Sequence, residues 1–162
     1  MLKTELFQFE TAQDGVSFYG MTPLRITDLD IEPGVKKFRF IGGANYDILR
    51  SNKKSFPEIE TICIEKDIDS IIIPNSLFPN VKQVISENPK FASSNILIRI
   101  GTTGASLLNT FCKQKGEKID LKKVKQIESY AFEGCESANV INAYDIETFR
   151  ERAFYGYTGA ED

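Results

Sequence analysis

The sequence predicts an α/β repeat fold: a solenoid of short parallel strands stacked turn upon turn, with an irregular or short-helical convex side and a β-hairpin cap at the N-terminal end. Three observations predict it. Apolar residues in the C-terminal part recur at one constant offset. The same offset returns in the middle of the chain. The N-terminal segment does not repeat; it alternates apolar and polar residues about a turn signal.

The C-terminal repeat is the clearest. Ile119, Val124, Ile127 and Phe132 find counterparts in Ile141, Ile146, Phe149 and Phe154, each 22 residues on, and the anchor Ala131-Phe132 returns as Ala153-Phe154. Phe56-Pro57-x-Ile59-x-x-Ile62 lines up in the same way with Phe78-Pro79-x-Val81-x-x-Val84, with Ile68, Ile71 and Ile73 continuing the apolar series between them. Val35-x-x-Phe38-x-Phe40 has the spacing of Ile59-x-x-Ile62-x-Ile64, and Ile98, Ile100 and Phe111 precede Ile119, Leu121 and Phe132 by nearly the same step. Such spacing places alternate residues of a short strand inward. One unit cannot cover its own apolar face, whereas stacked neighbours can.

The run Ile119-x-Leu121-x-x-Val124-x-x-Ile127-x-x-x-Ala131-Phe132-x-Gly134-Cys135 resembles the bacterial leucine-rich repeats of the BspA-like type. Leu77-Phe78-Pro79-Asn80-Val81-x-x-Val84 with its following Asn88 resembles the more general leucine-rich repeat. The resemblance implies a leucine-rich-repeat solenoid, and with it an extended binding scaffold, often found on bacterial surfaces facing host or partner proteins. Two features depart from that pattern. The N-terminus, MLKTELFQFETAQDG, lacks the apolar core of an export signal, and the repeats are irregular between Asn88 and Lys118. The chain as it stands is therefore expected in the cytoplasm, or at the extracellular surface if it is a fragment of an exported protein.

Along the chain, Phe7-x-Phe9-x-Thr11 and Val16-x-Phe18 alternate around Gln13-Asp14-Gly15, which reads as a hairpin. Residues 1–33 are expected to cap the stack, Pro33-Gly34 to mark the junction, and residues 34–162 to form the repeats of one continuous domain. Residues 42–55 read as a polar loop or short helix. Ser106 to Lys115 reads as a helix stopped at Gly116, with Thr103 or Ser106 as its cap. After Ala153-Phe154 no polar capping unit is recognisable. The last repeat is thus expected to leave an apolar edge around Ile141, Ala143 and Phe149 that invites further repeats, a partner or a second copy, which predicts truncation or self-association as a homodimer.

Composition narrows the function. The 162 residues carry a formal charge of -3, which disfavours nucleic-acid binding by bulk electrostatics. No apolar run approaches the roughly 20 residues of a membrane helix, so no membrane partner is expected. There is no histidine, which removes Ser-His-Asp and Cys-His catalysis and the commonest metal ligand. Cys63, Cys112 and Cys135 are far apart and form no C-x-x-C pair; they read as small buried thiols. Asp67, Asp69, Asp145 and Glu147 follow the polar positions of the repeats and mark out no acid–base pair. The reading is non-catalytic, with no metal and no cofactor.

The outward strand positions are the expected binding face, because a solenoid aligns them into one ladder. These are Lys37 and Arg39; Thr61, Cys63 and Glu65; Gln83 and Ile85; Leu97 and Arg99; Lys118, Asp120 and Lys122; and Val140, Asn142 and Tyr144. A face mixing charge with Ile85, Leu97, Val140 and Tyr144 suits a protein partner, so the sequence points to an adaptor, an adhesin fragment or an inhibitor that occludes its target. The alternative is nucleic acid or a nucleotide phosphate. It would use the cluster Lys113, Lys115, Lys118, Lys122, Lys123 and Lys125, together with the turn Gly101-Thr102-Thr103-Gly104-Ala105-Ser106. That turn lacks a P-loop lysine but, before a helix, offers backbone N–H groups to a phosphate.

Overall fold

The computed structural model describes residues 7–12, 15–20, 36–40 and 55–157, the first two segments by their backbone alone. Strands β1 (Phe7–Ala12) and β2 (Gly15–Gly20) pair antiparallel, with Phe7 opposite Gly20 and Ala12 opposite Gly15. This is the hairpin expected at the N-terminus, and β2 lies beside the first strand of the stack. The expectation for residues 42–55 falls almost wholly outside the described residues.

The repeats form a solenoid of parallel strands. β3 (Lys37–Phe40), β4 (Thr61–Ile64) and β5 (Gln83–Ser86) make one three-stranded sheet, with Phe38, Ile62 and Val84 in register across it. The β-branched and aromatic residues at alternate positions suit a half-buried pleat, and they are the ones that turn inward. After β4 the chain folds back through buried Ile68 and Ile71 to a one-turn 3-10 helix at Asn75–Leu77. Leu77 and Phe78 close the turn from the far side. Phe38 lies between Phe40 and Phe78, with ring centroids 4.9 and 5.1 Å away, at the centre of this first core.

The second half runs on two sheets. β8 (Lys118–Asp120) pairs in parallel with β10 (Asn139–Ile141). β7 (Gly104–Asn109), β9 (Val124–Ile127) and β11 (Thr148–Phe149) are parallel to one another, and β6 (Leu97–Gly101) joins their outer edge as the antiparallel partner of β7. The second core gathers Ile96, Ile98, Leu107, Ile119, Val124, Ile127, Ala131 and Phe132. Strand β6 belongs to both cores: Leu97 is buried in the first and Ile98 in the second.

Three expectations are corrected. Ser106 to Lys115 is not a helix. Its first residues complete β7 and the rest form turns, with Phe111 and Cys112 in left-handed conformation at φ 51° and 53°. Pairing with β6 and β9 overrides the helical propensity of the Leu-Leu run. Among the described residues there is no α-helix at all; the returns on the convex side are irregular, with two one-turn 3-10 helices, at Asn75–Leu77 and Ala143–Asp145. Finally, Ile119 pairs with Val140, not with Ile141, while Ile127 keeps Phe149 at the full step. The extra residue between β10 and β11 is taken up by the 3-10 turn at Ala143–Asp145.

Where the chain rounds a corner its carbonyls have no strand partner, and a buried orphan carbonyl is destabilising. Neighbouring turns supply donors. Asn88, buried, donates from Nδ2 to the carbonyls of Glu65 (3.0 Å) and Ile68 (2.7 Å), while its Oδ1 accepts from the N–H of Lys90 (2.9 Å). Asn75 donates to the carbonyls of Ala131 (2.9 Å) and Glu133 (2.7 Å), and Asn109 to that of Ile73 (3.1 Å). Between the last corners the backbone bonds directly, Tyr130 N–H to Arg152 O at 2.9 Å and Phe132 N–H to Ala153 O at 3.2 Å. Gly134, at φ +81°, lets Cys112 close in: a Cβ there would lie 2.6 Å from the Cys112 sulfur. Asn88→Ala is expected to destabilise the fold by about 2–3 kcal/mol by orphaning two carbonyls. Asn88→Asp is expected to be worse, because it sets a carboxylate against them. Urea unfolding of the three proteins checks the order.

Candidate binding surface

The outward face of β3–β4–β5 carries two rows in register: Lys37, Thr61 and Gln83, then Arg39, Cys63 and Ile85. Gln83 and Ile85 are exposed, Ile85 to 39 %; Lys37, Arg39 and Thr61 are half-buried and Cys63 is buried. Glu65, just beyond β4, takes Arg39 at 3.5 Å. The sequence-derived ladder is therefore assembled as a mixed face over these three strands.

It does not continue as one ladder. The strand that should bridge β5 and β8 is β6, and β6 turns away into its hairpin, so β3–β4–β5 and β8–β10 are separate sheets. Leu97, expected outward, is 1 % exposed inside the first core. Arg99 is half-buried; its Nη2 reaches the carbonyl of Asp69 at 3.4 Å, and its buried Nε has no hydrogen-bond partner among the described residues. Lys90 pairs with the Asp69 carboxylate and holds its pKa below the usual carboxylate range, chiefly through that hydrogen bond. The glycines cause the interruption. Gly101 and Gly104 face one another across Thr102-Thr103, and Gly104 sits at φ +139°, a backbone that turns the chain back.

On the other side of the break, Lys118 and Asp120 point outward from β8 and Lys122 is exposed just after it. Asp120 accepts from Asn142 Nδ2 at 2.9 Å and from the Lys122 N–H at 3.0 Å, and Asn142 accepts in turn from the Tyr144 hydroxyl at 2.8 Å. The Asn142 hydrogen bond, then the Lys122 N–H, lower the Asp120 pKa. These four predicted residues do come together. Val140 does not join them as expected, since register places it over inward-facing Ile119, although it stays 38 % exposed.

Gly101 to Gly104 is a hairpin turn between strands, so the helix expected to follow this turn is not formed. Lys113 also leaves the basic cluster. It is 1 % exposed, donates from Nζ to the Val81 carbonyl at 2.6 Å, and has Glu117 3.9 Å away. Lys115, Lys118, Lys122, Lys123 and Lys125 are exposed. Cys63 and Cys135 are buried and Cys112 is half-buried; burial raises both the Cys112 thiol, to about 11, and the Cys135 thiol, which favours the protonated form of each. Among the described residues no group of three His, Cys, Asp or Glu side chains is placed to hold a metal, and no helix is long and apolar enough to cross a membrane.

Sequence reasoning missed a half-open cleft of about 540 Å³ at the interruption, between the β6–β7 hairpin and the corner joining β8 to β9. Its signal was present in the Gly-Thr-Thr-Gly that breaks the repeat. Fold and surface together define a class: a strand solenoid with, among the described residues, a mixed face over β3–β4–β5 and a lysine-rimmed cleft. No protein-family profile matches the chain, and neither a curated protein nor a solved structure matches it.

Burial lowers the Lys113 pKa below its ordinary 10.5. In the window between the two values the unfolded chain binds the extra proton, so this residue's contribution to stability rises with pH and is complete above 10.5. The raised thiols act in the opposite sense from 9.0 upward. The comparison that isolates the lysine is wild type against Lys113→Met: the stability difference is expected to shift in favour of wild type as pH rises, as read by urea unfolding across the alkaline range.

Proposed function

We propose that this chain is a non-catalytic protein-binding solenoid of the leucine-rich-repeat kind, resembling the BspA-like bacterial repeats, and that its partner docks on the β3–β4–β5 face. The observation that supports the reading is the register. Lys37, Thr61 and Gln83, and Arg39, Cys63 and Ile85, form two aligned rows that put charge, hydroxyl, amide and aliphatic groups on one surface. Such a surface suits another protein, with Ile85 as the apolar contact within a polar surround. Lys118, Asp120, Lys122, Asn142 and Tyr144 form a second patch that a large partner would reach. Affinity capture from the native host is expected to recover a protein that binds wild type and is lost at least about fivefold with Lys37→Glu plus Ile85→Asp. Equal capture by the variant removes this face from the reading.

Self-association through the C-terminal edge is part of the same proposal. β10 and β11 are outermost in their sheets, and Tyr144 (73 %), Phe149 (57 %), Phe154 and Tyr155 are exposed there. Phe154 stacks on Phe132 at 4.8 Å and touches the Phe149 ring at 5.4 Å, yet it stays 47 % exposed. Light scattering on a sizing column is expected to show a dimer population that grows with concentration and disappears in Phe149→Asp. A monomer at every concentration excludes it.

A further inference from the structure

We propose that the cleft beside the β6–β7 hairpin is a binding site for an extended acidic peptide that inserts one aliphatic side chain. The site is separate from the β3–β4–β5 face and stands whether or not that face binds a partner. Its floor is apolar: Ala92, Ile98, Ile100 and Ala105, with Ile100 exposed to 45 % although it lies among other apolar groups. Three cations rim it, Lys122, Lys123 and Lys125, against the single carboxylate of Asp145. The chain as a whole carries -3, so a cationic mouth is a local inversion of the protein's own charge. Acidic ligands are drawn to such a mouth. The volume of about 540 Å³ lies within the range of small-ligand clefts and exceeds what one aliphatic side chain needs, leaving room for the segment that carries it.

A second depression argues for a peptide over a free amphiphile. It lies on the other side of Lys125, has a volume of about 180 Å³ and is lined by polar groups, among them Thr103, Ser106, Gln126 and Thr148. Ser106, Gln126 and Thr148 are in register across β7, β9 and β11. Gly104 is what lets the two depressions adjoin: a Cβ there would lie 2.6 Å from Lys125 Cδ, so the lysine stem packs across the hairpin where any side chain would stand. An extended chain places residues i and i+2 on one side, about 6–7 Å apart. Such a chain sets its aliphatic residue in the apolar cleft, its carboxylates against Lys122 and Lys123, and an uncharged polar residue in the smaller depression. A carboxylate is disfavoured in that last place because Glu147 also lines it.

The test is fluorescence polarisation at low salt with a labelled octapeptide of glutamates around one central leucine and one serine two residues on. Two control peptides replace the leucine by serine or all glutamates by glutamine. The parent peptide is expected to bind, both controls to bind about tenfold more weakly or worse, and the parent's affinity to fall with salt. Ile100→Glu, and separately Lys122→Glu plus Lys123→Glu, are expected to reduce parent binding by about tenfold. Ile72→Glu, at an exposed isoleucine outside the cleft, is expected to leave it unchanged, with thermal melts confirming that each variant folds. Absence of parent binding overturns the proposal, as does equal binding of the leucine-free control, or a cleft variant that folds and binds like wild type. Sodium dodecanoate is the remaining arm: its binding, lost in Ile100→Glu, without any peptide binding would replace the peptide by a small amphiphile and overturn the proposal as stated.

Discussion

Every corner of this solenoid faces one constraint: carbonyl groups turned away from the strand ladders must find donors inside the stack. Strand pairing satisfies the backbone along the flat stretches and does nothing for the corners. The solution here is a set of buried side chains with N–H groups and long enough reach. Asn88 serves the corner after β4, Asn75 and Asn109 tie the first half to the second, and Lys113 reaches the carbonyl of Val81 with a charged ammonium. A lysine in that place is an expensive donor, because burial opposes its charge. It is tolerated because one short hydrogen bond, a carboxylate 3.9 Å away and the Phe111 ring offset part of the desolvation.

The same constraint explains why the repeat is allowed to fail once. At the position of β6 the sequence still alternates apolar residues, yet Gly101 and Gly104 bring the chain back on itself before a regular corner forms. The hairpin satisfies its own backbone and borrows its second strand as the first member of the next parallel sheet. What is lost is continuity of the outward face. What is gained is a gap between the hairpin and the corner at Lys122–Lys123, which becomes the cleft. Local turn chemistry prevailed over the long period because a two-residue reversal forms from neighbours in sequence, whereas a solenoid turn needs contacts 20 or more residues apart, here between Ser106 and Gln126 or Gln126 and Thr148.

The stacked strands were readable from the sequence because apolar spacing acts directly on which side of a strand is buried. The registers Phe38–Ile62–Val84 and Ile127–Phe149 follow from it alone. Three things were not readable. The Ser106-Leu107-Leu108 run has good helical propensity, and only its pairing with β6 and β9 makes it a strand. The register of Val140 depended on a 3-10 turn downstream of it, which spacing by itself does not locate. Lys113 was counted among surface cations because a charged residue in a lysine-rich stretch reads as solvated, and its burial depends on a carbonyl 32 residues earlier. The surface suffered most from these gaps. Half of it was placed by strand register, and the cleft arose where the register gave way.

Strand β6 gives this small stack a property that a regular solenoid lacks. In a regular array each turn touches only its neighbours, so one end can loosen while the other stays intact. Here adjacent residues of one strand, Leu97 and Ile98, are the shared wall of two cores. Loosening either core uncovers one face of β6, and the other core then loses the packing that fixes its side of the same strand. The hairpin that breaks the pattern is thus also a coupling element, binding the two halves into a single melting unit and holding its own cleft at the joint between them.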